Sequence, residues 1–242
     1  MLLGMTTSLS ATNKKDSLIL NRIFEYQKTH TEYIDSLEDQ VYAKIRYHVD
    51  KRNSILWLIP SMYVMAKDPR DYIRESYSKV LFKNAHDYDI NSQVLSGTIR
   101  GNRTAMPTLL DYMTPNIYDI ALYDGHMLSP FNKCNRRYYR YSQKLQSDGT
   151  TRLDFHPKNY NTQLLNGYAI VETSTGRIIR TILNGEFDML TFRTEISQGT
   201  EGGRSIMPSR CTTAATFRFV GNRITALFDA NYHCDKTLPD SI

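Results

Sequence analysis

The apolar positions of this chain recur mostly at every second residue. Val41, Ala43, Ile45, Tyr47 and Val49 alternate with Tyr42, Lys44, Arg46, His48 and Asp50, the signature of an antiparallel strand with one buried face. The same period predicts strands over 72–82, 88–99, 136–146, 151–157, 164–173, 177–184, 187–197, 211–220 and 224–234. Residues 55–65 are apolar on both faces, with Ile55, Trp57, Ile59 and Tyr63 against Leu56, Leu58, Met62 and Val64. That strand is expected to be covered on both sides, with Pro60 forcing a bulge or an irregular pairing. Turn chemistry at Ser147-Asp148-Gly149, Ser174-Thr175-Gly176, Asn184-Gly185 and Gly221-Asn222 separates the segments, and Asn184-Gly185 is the strongest hairpin signal.

Only two stretches follow helical spacing. Asp16 is placed to cap a run carrying Leu18, Ile19, Ile23, Phe24 and Tyr26, continuing toward Leu37 and Glu38. Met106, Leu109, Leu110 and Met113 form a shorter one, with Pro107 in its first turn and Pro115 beyond its end. Many hairpin-linked strands with few helices predict a mainly β (α+β) fold built on a long antiparallel meander sheet. Such a sheet must curl to bury its apolar face, as a closed barrel or as a half-barrel around the N-terminal helix and a short helical plug. In the last hairpin a short turn would put Ala215, Phe217 and Phe219 on one face with Ile224, Ala226, Phe228 and Ala230. No break in composition divides residues 12–242, so a single domain is expected there. Residues 1–11, an apolar run ending in small residues without a basic start, read as the remnant of a signal peptide. No apolar run approaches the ~20 residues that a membrane-spanning helix needs.

The formal charge of +5 implies mild attraction to anionic partners, lipid head groups included. Lys and Arg are nevertheless interspersed with Asp and Glu, which argues against a nucleic-acid footprint. Arg136-Arg137-Tyr138-Tyr139-Arg140-Tyr141 interleaves basic and aromatic residues as a single-strand platform does, but a strand with one packed face accounts for it equally. Cys134, Cys211 and Cys234 lack metal or redox spacing. Cys211 and Cys234 lie almost equally far from the Gly221-Asn222-Arg223 turn, so a hairpin would bring them close to opposite one another, and an oxidising compartment would permit a disulfide.

Asp119, Asp124 and His126 are candidate metal ligands, with turn formation beside Gly125 as the plainer account. Gly97 to Arg103 is a candidate anion nest or simply a loop. Ser129 and Cys134 lack a nucleophile elbow, and the pairs Asp87/Asp89 and Glu186/Asp188 sit at hairpin edges. These readings predict neither a catalytic centre nor a cofactor or metal. The candidate ligand-binding residues are instead apolar: Trp57, Ile59, Tyr63, Phe217, Phe219 and Phe228 on the concave face, with Met106, Leu109, Leu110 and Met113 as an adaptable cover.

Tyr42-Ala43-Lys44-Ile45-Arg46-Tyr47, Leu58-Ile59-Pro60-Ser61-Met62-Tyr63, Asn116-Ile117-Tyr118-Asp119, Leu128-Ser129-Pro130, Tyr138-Tyr139-Arg140-Tyr141 and Phe155-His156-Pro157-Lys158 spread over most of the chain. With these motifs it resembles the periplasmic portion of a Bacteroidetes cell-envelope family of uncharacterised function. Larger members of that family place a carboxypeptidase-regulatory-like domain before this portion and an outer-membrane barrel after it. The resemblance implies either a piece of such a protein or a stand-alone version. It implies a half-barrel like those of LolA and LolB, which hold acyl chains in a concave apolar cavity. The implied function is a non-enzymatic binding domain of the periplasm, associated with the outer membrane, for a lipid, lipoprotein or envelope polymer. The alternative is a structural domain supporting an outer-membrane barrel partner, and an envelope hydrolase ranks third.

Overall fold

The computed structural model describes residues 7–31, 37–58, 70–82, 88–98, 116–123, 125–187, 189–200 and 202–232. Its strands are β1 (Leu37–Lys51), β2 (Asp71–Phe82), β3 (Tyr88–Gly97), β4 (Ala121–Leu122), β5 (Met127–Leu128), β6 (Tyr139–Leu145), β7 (Thr150–Pro157), β8 (Asn166–Glu172), β9 (Ile178–Phe187), β10 (Leu190–Gln198), β11 (Pro208–Phe219) and β12 (Asn222–Tyr232). β4 and β5 form a small ribbon, and the other ten make one antiparallel sheet in the order β3-β2-β1-β12-β11-β10-β9-β8-β7-β6. The sheet is therefore not a meander from first strand to last. β1 pairs with β12, which leaves β3 and β6 at opposite edges although they follow one another along the large strands of the chain. The sheet of described strands is open, with β3 and β6 unpaired to one another.

Alternation fixes which side of the sheet is inside. Val41, Ala43, Ile45 and Val49 of β1 are buried, and the register carries their face through Tyr232, Ala230, Phe228 and Ile224 of β12 to Cys211, Thr213 and Phe217 of β11. The described part of the β3–β6 connection lies on that face, burying Ile117, Tyr118, Leu122, Tyr123, Met127 and Phe131 in the same core. Its backbone is held by its own short polar side chains. Ser129 Oγ donates to the Ile117 carbonyl, Asn132 Nδ2 to Tyr118 O at 2.8 Å, and Asn135 Nδ2 to Ile120 O at 2.7 Å. Tyr139 and Tyr141 reach across from β6 to Leu128 O at 2.6 Å and Pro130 O at 2.7 Å. Buried backbone carbonyls need such partners wherever no ladder supplies them. Residues 117–120 accordingly form a turn, and the 3-10 turn Lys133–Tyr138 precedes β6.

The N-terminal helix, α1, runs Thr7–Thr31. It begins nine residues before Asp16, because no Gly or Pro interrupts the sequence between Thr7 and Thr31. It ends at Thr31, with the Thr29 and Thr31 hydroxyls turned back onto the carbonyls of Glu25 and Gln27, so Leu37 and Glu38 belong to β1. Ile19, Leu20, Ile23 and Phe24 are its buried stripe in the core. Arg22 Nη1 donates to the Thr173 carbonyl and Tyr26 OH donates to Ser205 Oγ at 2.8 Å, tying the helix to the β8–β9 turn and to the 3-10 turn Gly202–Ile206.

Three further expectations change. Residues 54–58 form a 3-10 turn, Ser54–Leu58, rather than the start of a doubly covered strand. Asn53 causes it: its Oδ1 accepts from Ile55 N at 3.0 Å and its carbonyl from Leu56 N at 3.3 Å, diverting the chain from the ladder. Asn184-Gly185 lies inside β9 rather than at its end. Gly185 is there for space, since a Cβ would stand 2.4 Å from Phe192 Cζ and 2.8 Å from Leu165 Cδ2. Finally, the β11–β12 turn centres on Val220-Gly221, which sets Ala230 rather than a cysteine opposite Cys211. Cys211 is a free buried thiol, pushed up to about 12 by burial, and Cys134 is free and exposed. Cys234, Ile59, Tyr63 and the expected helix at Met106, Leu109, Leu110 and Met113 lie outside the described residues.

Candidate ligand-binding face

The inner face is not equally covered along the strands. At the end where β9 starts and β8 and β10 finish, α1 and the Gly202–Ile206 turn bury Val171, Ile178, Ile196, Cys211 and Ala230. At the opposite end the same face carries half-buried rings. Phe187 of β9, Phe192 of β10, Phe217 and Phe219 of β11, Phe228 of β12 and Tyr47 of β1 are all of intermediate exposure. The register sets them side by side: Leu190 lies between Phe187 and Phe217, Phe228 is opposite Ile45, and Tyr47 is opposite Ala226. Tyr47 and Phe228 meet edge to face with centroids 5.7 Å apart, and Phe217 lies 6.4 Å from Phe219. The result is an aromatic strip, or shallow trough, along the inner face; Tyr123 and His126 pack on its Phe192 and Phe187 end with centroids 5.0 and 4.2 Å apart, and a smaller core of Val49, Leu56, Tyr72 and Ile224 borders the other.

At its mouth stand exposed apolar side chains from three connections. Trp57 is 48% exposed and Leu58 80% exposed on the 3-10 turn, Val220 is 57% exposed on the β11–β12 turn, and Met189 is exposed between β9 and β10. Asn53 and Asn222 clamp two of these connections together: Asn53 N donates to Asn222 Oδ1 at 2.7 Å, and Asn53 Nδ2 to Val220 O at 2.7 Å.

The trough borders on polar groups of β2. Tyr72, Arg74, Ser76 and Ser78 all face inward opposite Tyr47, Ile45, Ala43 and Val41. Arg74 is only 7% exposed, yet its Nε has no acceptor; the fully buried Ser76 Oγ has none either. Burial lowers the pKa of the Arg74 guanidinium. Burial also pushes the Tyr47 phenol up to about 12, with the Arg74 charge pulling the other way.

Of the residues singled out in the sequence, Phe217, Phe219 and Phe228 share the trough face, and Trp57 is at its mouth rather than inside. Phe187, Leu190 and Phe192 share this face as well, and the alternation of Leu190, Phe192 and Ile196 is plain in the sequence. A turn at Asn184-Gly185, as the sequence suggests, would separate them from β9, whereas the strand runs on through both residues. Arg74 was missed because β2 mixes polar and apolar residues on both faces, and pairing with β1 is what reveals the inner one.

Of the other candidates, Asp87, Asp124, Asp188 and residues 99–103 lie outside the described residues. Ser129 is a buried staple that also accepts from Phe131 N at 3.1 Å. The His126 ring lies 4.2 Å from that of Phe187, while Asp119 bonds Asn116 at 3.4 Å. Among the described residues no three His, Cys, Asp or Glu gather as metal ligands. Arg137 lies over the ring of Tyr138, 4.8 Å from its centroid. Glu186 is exposed at the end of β9. A depression of about 580 Å3 is lined by residues 46–48 of β1, 71–73 of β2, 214–216 of β11 and 225–227 of β12, among them the outward-facing Arg46, His48, Asp71 and Ile73. Among the described residues no helix is long and apolar enough to cross a membrane.

No curated protein matches the chain. Among solved structures it is similar to a LolA superfamily protein from Nitrosomonas europaea, at 13% identity and a TM-score of 0.30 over 91% of this chain and 95% of that one. A DUF1329 family protein from Desulfovibrio piger gives 12% identity and 0.31 over 93% and 95%. MucB in its complex with MucA from Pseudomonas aeruginosa gives 7% and 0.26 over 89% and 93%. Scores this low carry neither structural detail nor function across. Residues 19–234, most of the sequence, match a family of unknown function, and the chain belongs to that family, DUF5686.

Proposed function

We propose that this protein is a binding domain rather than an enzyme, and that it holds an elongated apolar chain, such as the acyl chain of a lipid or lipoprotein, in the aromatic trough. The observation that carries this reading is the set of six rings left half-buried side by side on a face whose other end is tightly packed. Contiguous apolar surface of this kind is uncommon where nothing binds it. Aromatic walls suit a flexible hydrocarbon chain because they offer large, rigid contact area and, Tyr47 apart, no polar groups that need satisfying. Exposed Trp57, Leu58, Met189 and Val220 extend the apolar surface to the point of entry. Export to the periplasm, with association to the outer membrane, belongs to the same proposal and is read by fractionating cells that express the natural gene.

The direct test is native mass spectrometry of the purified protein, followed by titration of the delipidated protein with N-phenyl-1-naphthylamine. An acyl species leaving the protein, and saturable probe fluorescence weakened by Phe219→Ser with an unchanged circular dichroism spectrum, are expected. A protein that carries no lipid and does not bind the probe would rule the reading out.

A further inference from the structure

We propose that Arg74 and Ser76 seat the anionic head of an amphiphile whose chain lies in the trough. The inference rests on the reading of the trough as an apolar-chain site and adds the chemistry of the ligand's head. An arginine on the inward face of a central strand is costly unless its charge is matched. Among the described residues no carboxylate pairs with Arg74, and its Nε is buried without an acceptor. An apolar side chain of similar volume would pack there at less cost, so packing does not explain a cation.

The surroundings are arranged around it. Ser76 Oγ, on the same face of β2, is a second fully buried group lacking a partner. The ladder between β2 and β3 is broken between Glu75 and Ser76, where Glu75 pairs with Ser96 but Ser76 with Val94. The extra residue, Leu95, is on β3, so the bulge bends that strand beside Arg74 and Ser76. Across the ladder from Arg74 stands Gly97, where a Cβ would come within 3.5 Å of Arg74 Cγ, so no side chain crowds the arginine stem on that flank. On its other flank, Ile45 and then Phe228 lead into the trough, with Tyr47 one step along. A carboxylate or phosphate monoester accepting from Arg74 and Ser76 would thus have its chain directed over Tyr47 and Phe228.

The test compares cis-parinaric acid with its methyl ester on the delipidated full chain at pH 7, by fluorescence titration. The acid is expected to bind about ten- to hundredfold more tightly than the ester, the range set by one charge-assisted contact. Arg74→Met should abolish that preference, leave ester binding unchanged and keep or raise the melting temperature. Arg74→Gln, which retains donors without the charge, serves as the second variant and should also lose the preference. Oleoyl lysophosphatidic acid should displace the acid, whereas inorganic phosphate or acetate at the same concentration should not. Displacement by the free anions would show a simple anion site and overturn the amphiphile. Equal binding of acid and ester by the wild type would overturn the head-group seat while leaving the trough intact. Binding of neither probe would remove both.

Discussion

Gly185 stands where the sheet leaves no room for a side chain. A Cβ there would meet Phe192 Cζ at 2.4 Å and Leu165 Cδ2 at 2.8 Å, so Phe192, a wall of the trough, rests on the bare backbone of β9. Gly185→Ala is expected to destabilise the fold by about 1–3 kcal/mol through overpacking, read as a lower midpoint in urea. The same change in a Phe192→Ala background should cost clearly less than in the wild type, since the clash is shared by the two residues. Additive effects would mean that Phe192 does not lean on Gly185. Arg74 poses the opposite case at this scale. It is a residue whose physical cost is evident and whose benefit lies only in what it can bind.

Among the elements, the β11–β12 turn contains the clearest local conflict. Val220 has φ 41° and Gly221 φ 77°, the double positive of a tight hairpin turn. Glycine adopts that geometry freely, but a β-branched residue does so only under strain. The Asn53–Asn222 clamp holds the turn in place regardless, and Val220 remains outside, exposed beside Trp57 and Leu58. Val220→Asn, which suits the left-handed conformation, should therefore stabilise the protein by about 1 kcal/mol. By removing one apolar group from the mouth, it should also weaken capture of N-phenyl-1-naphthylamine. Thermal unfolding checks the first half and probe titration the second. A fall in stability would show that Val220 makes favourable contacts that offset its strain.

For the whole molecule the decisive feature is how α1 is seated. Gly176, at φ 86°, passes so close to the helix that a Cβ would lie 2.4 Å from the Arg22 carbonyl carbon and 2.5 Å from its oxygen. Both are backbone atoms, so no side chain can move aside to relieve the contact. Gly176→Ala should lift the helix from the sheet, and amide hydrogen exchange over residues 18–31 should accelerate by about tenfold or more while the β7–β9 amides change little. Uniform acceleration would instead mean that the helix and the sheet open as one unit. Covering one end of the inner face while leaving the other half-open is what turns a curled sheet into a candidate container.

Much of this architecture is written in local chemistry. The alternation of Val41 to Val49 and of Ala215 to Phe219 against Ile224 to Ala230 fixes strands and their faces, because a period of two permits only one apolar side. Ser147-Asp148-Gly149 and Ser174-Thr175-Gly176 likewise mark real turns. The sequence by itself thus determined a strand-rich, antiparallel molecule with an N-terminal helix and an apolar inner surface. The pairing of β1 with β12, the seating of residues 116–138 on the inner face, the placing of Gly185 within a strand and the burial of Arg74 on that face were decided only by tertiary structure. The physical reason is that strand neighbours, unlike strand faces, are set by contacts between residues far apart in the chain. No local period records which strand will lie beside which.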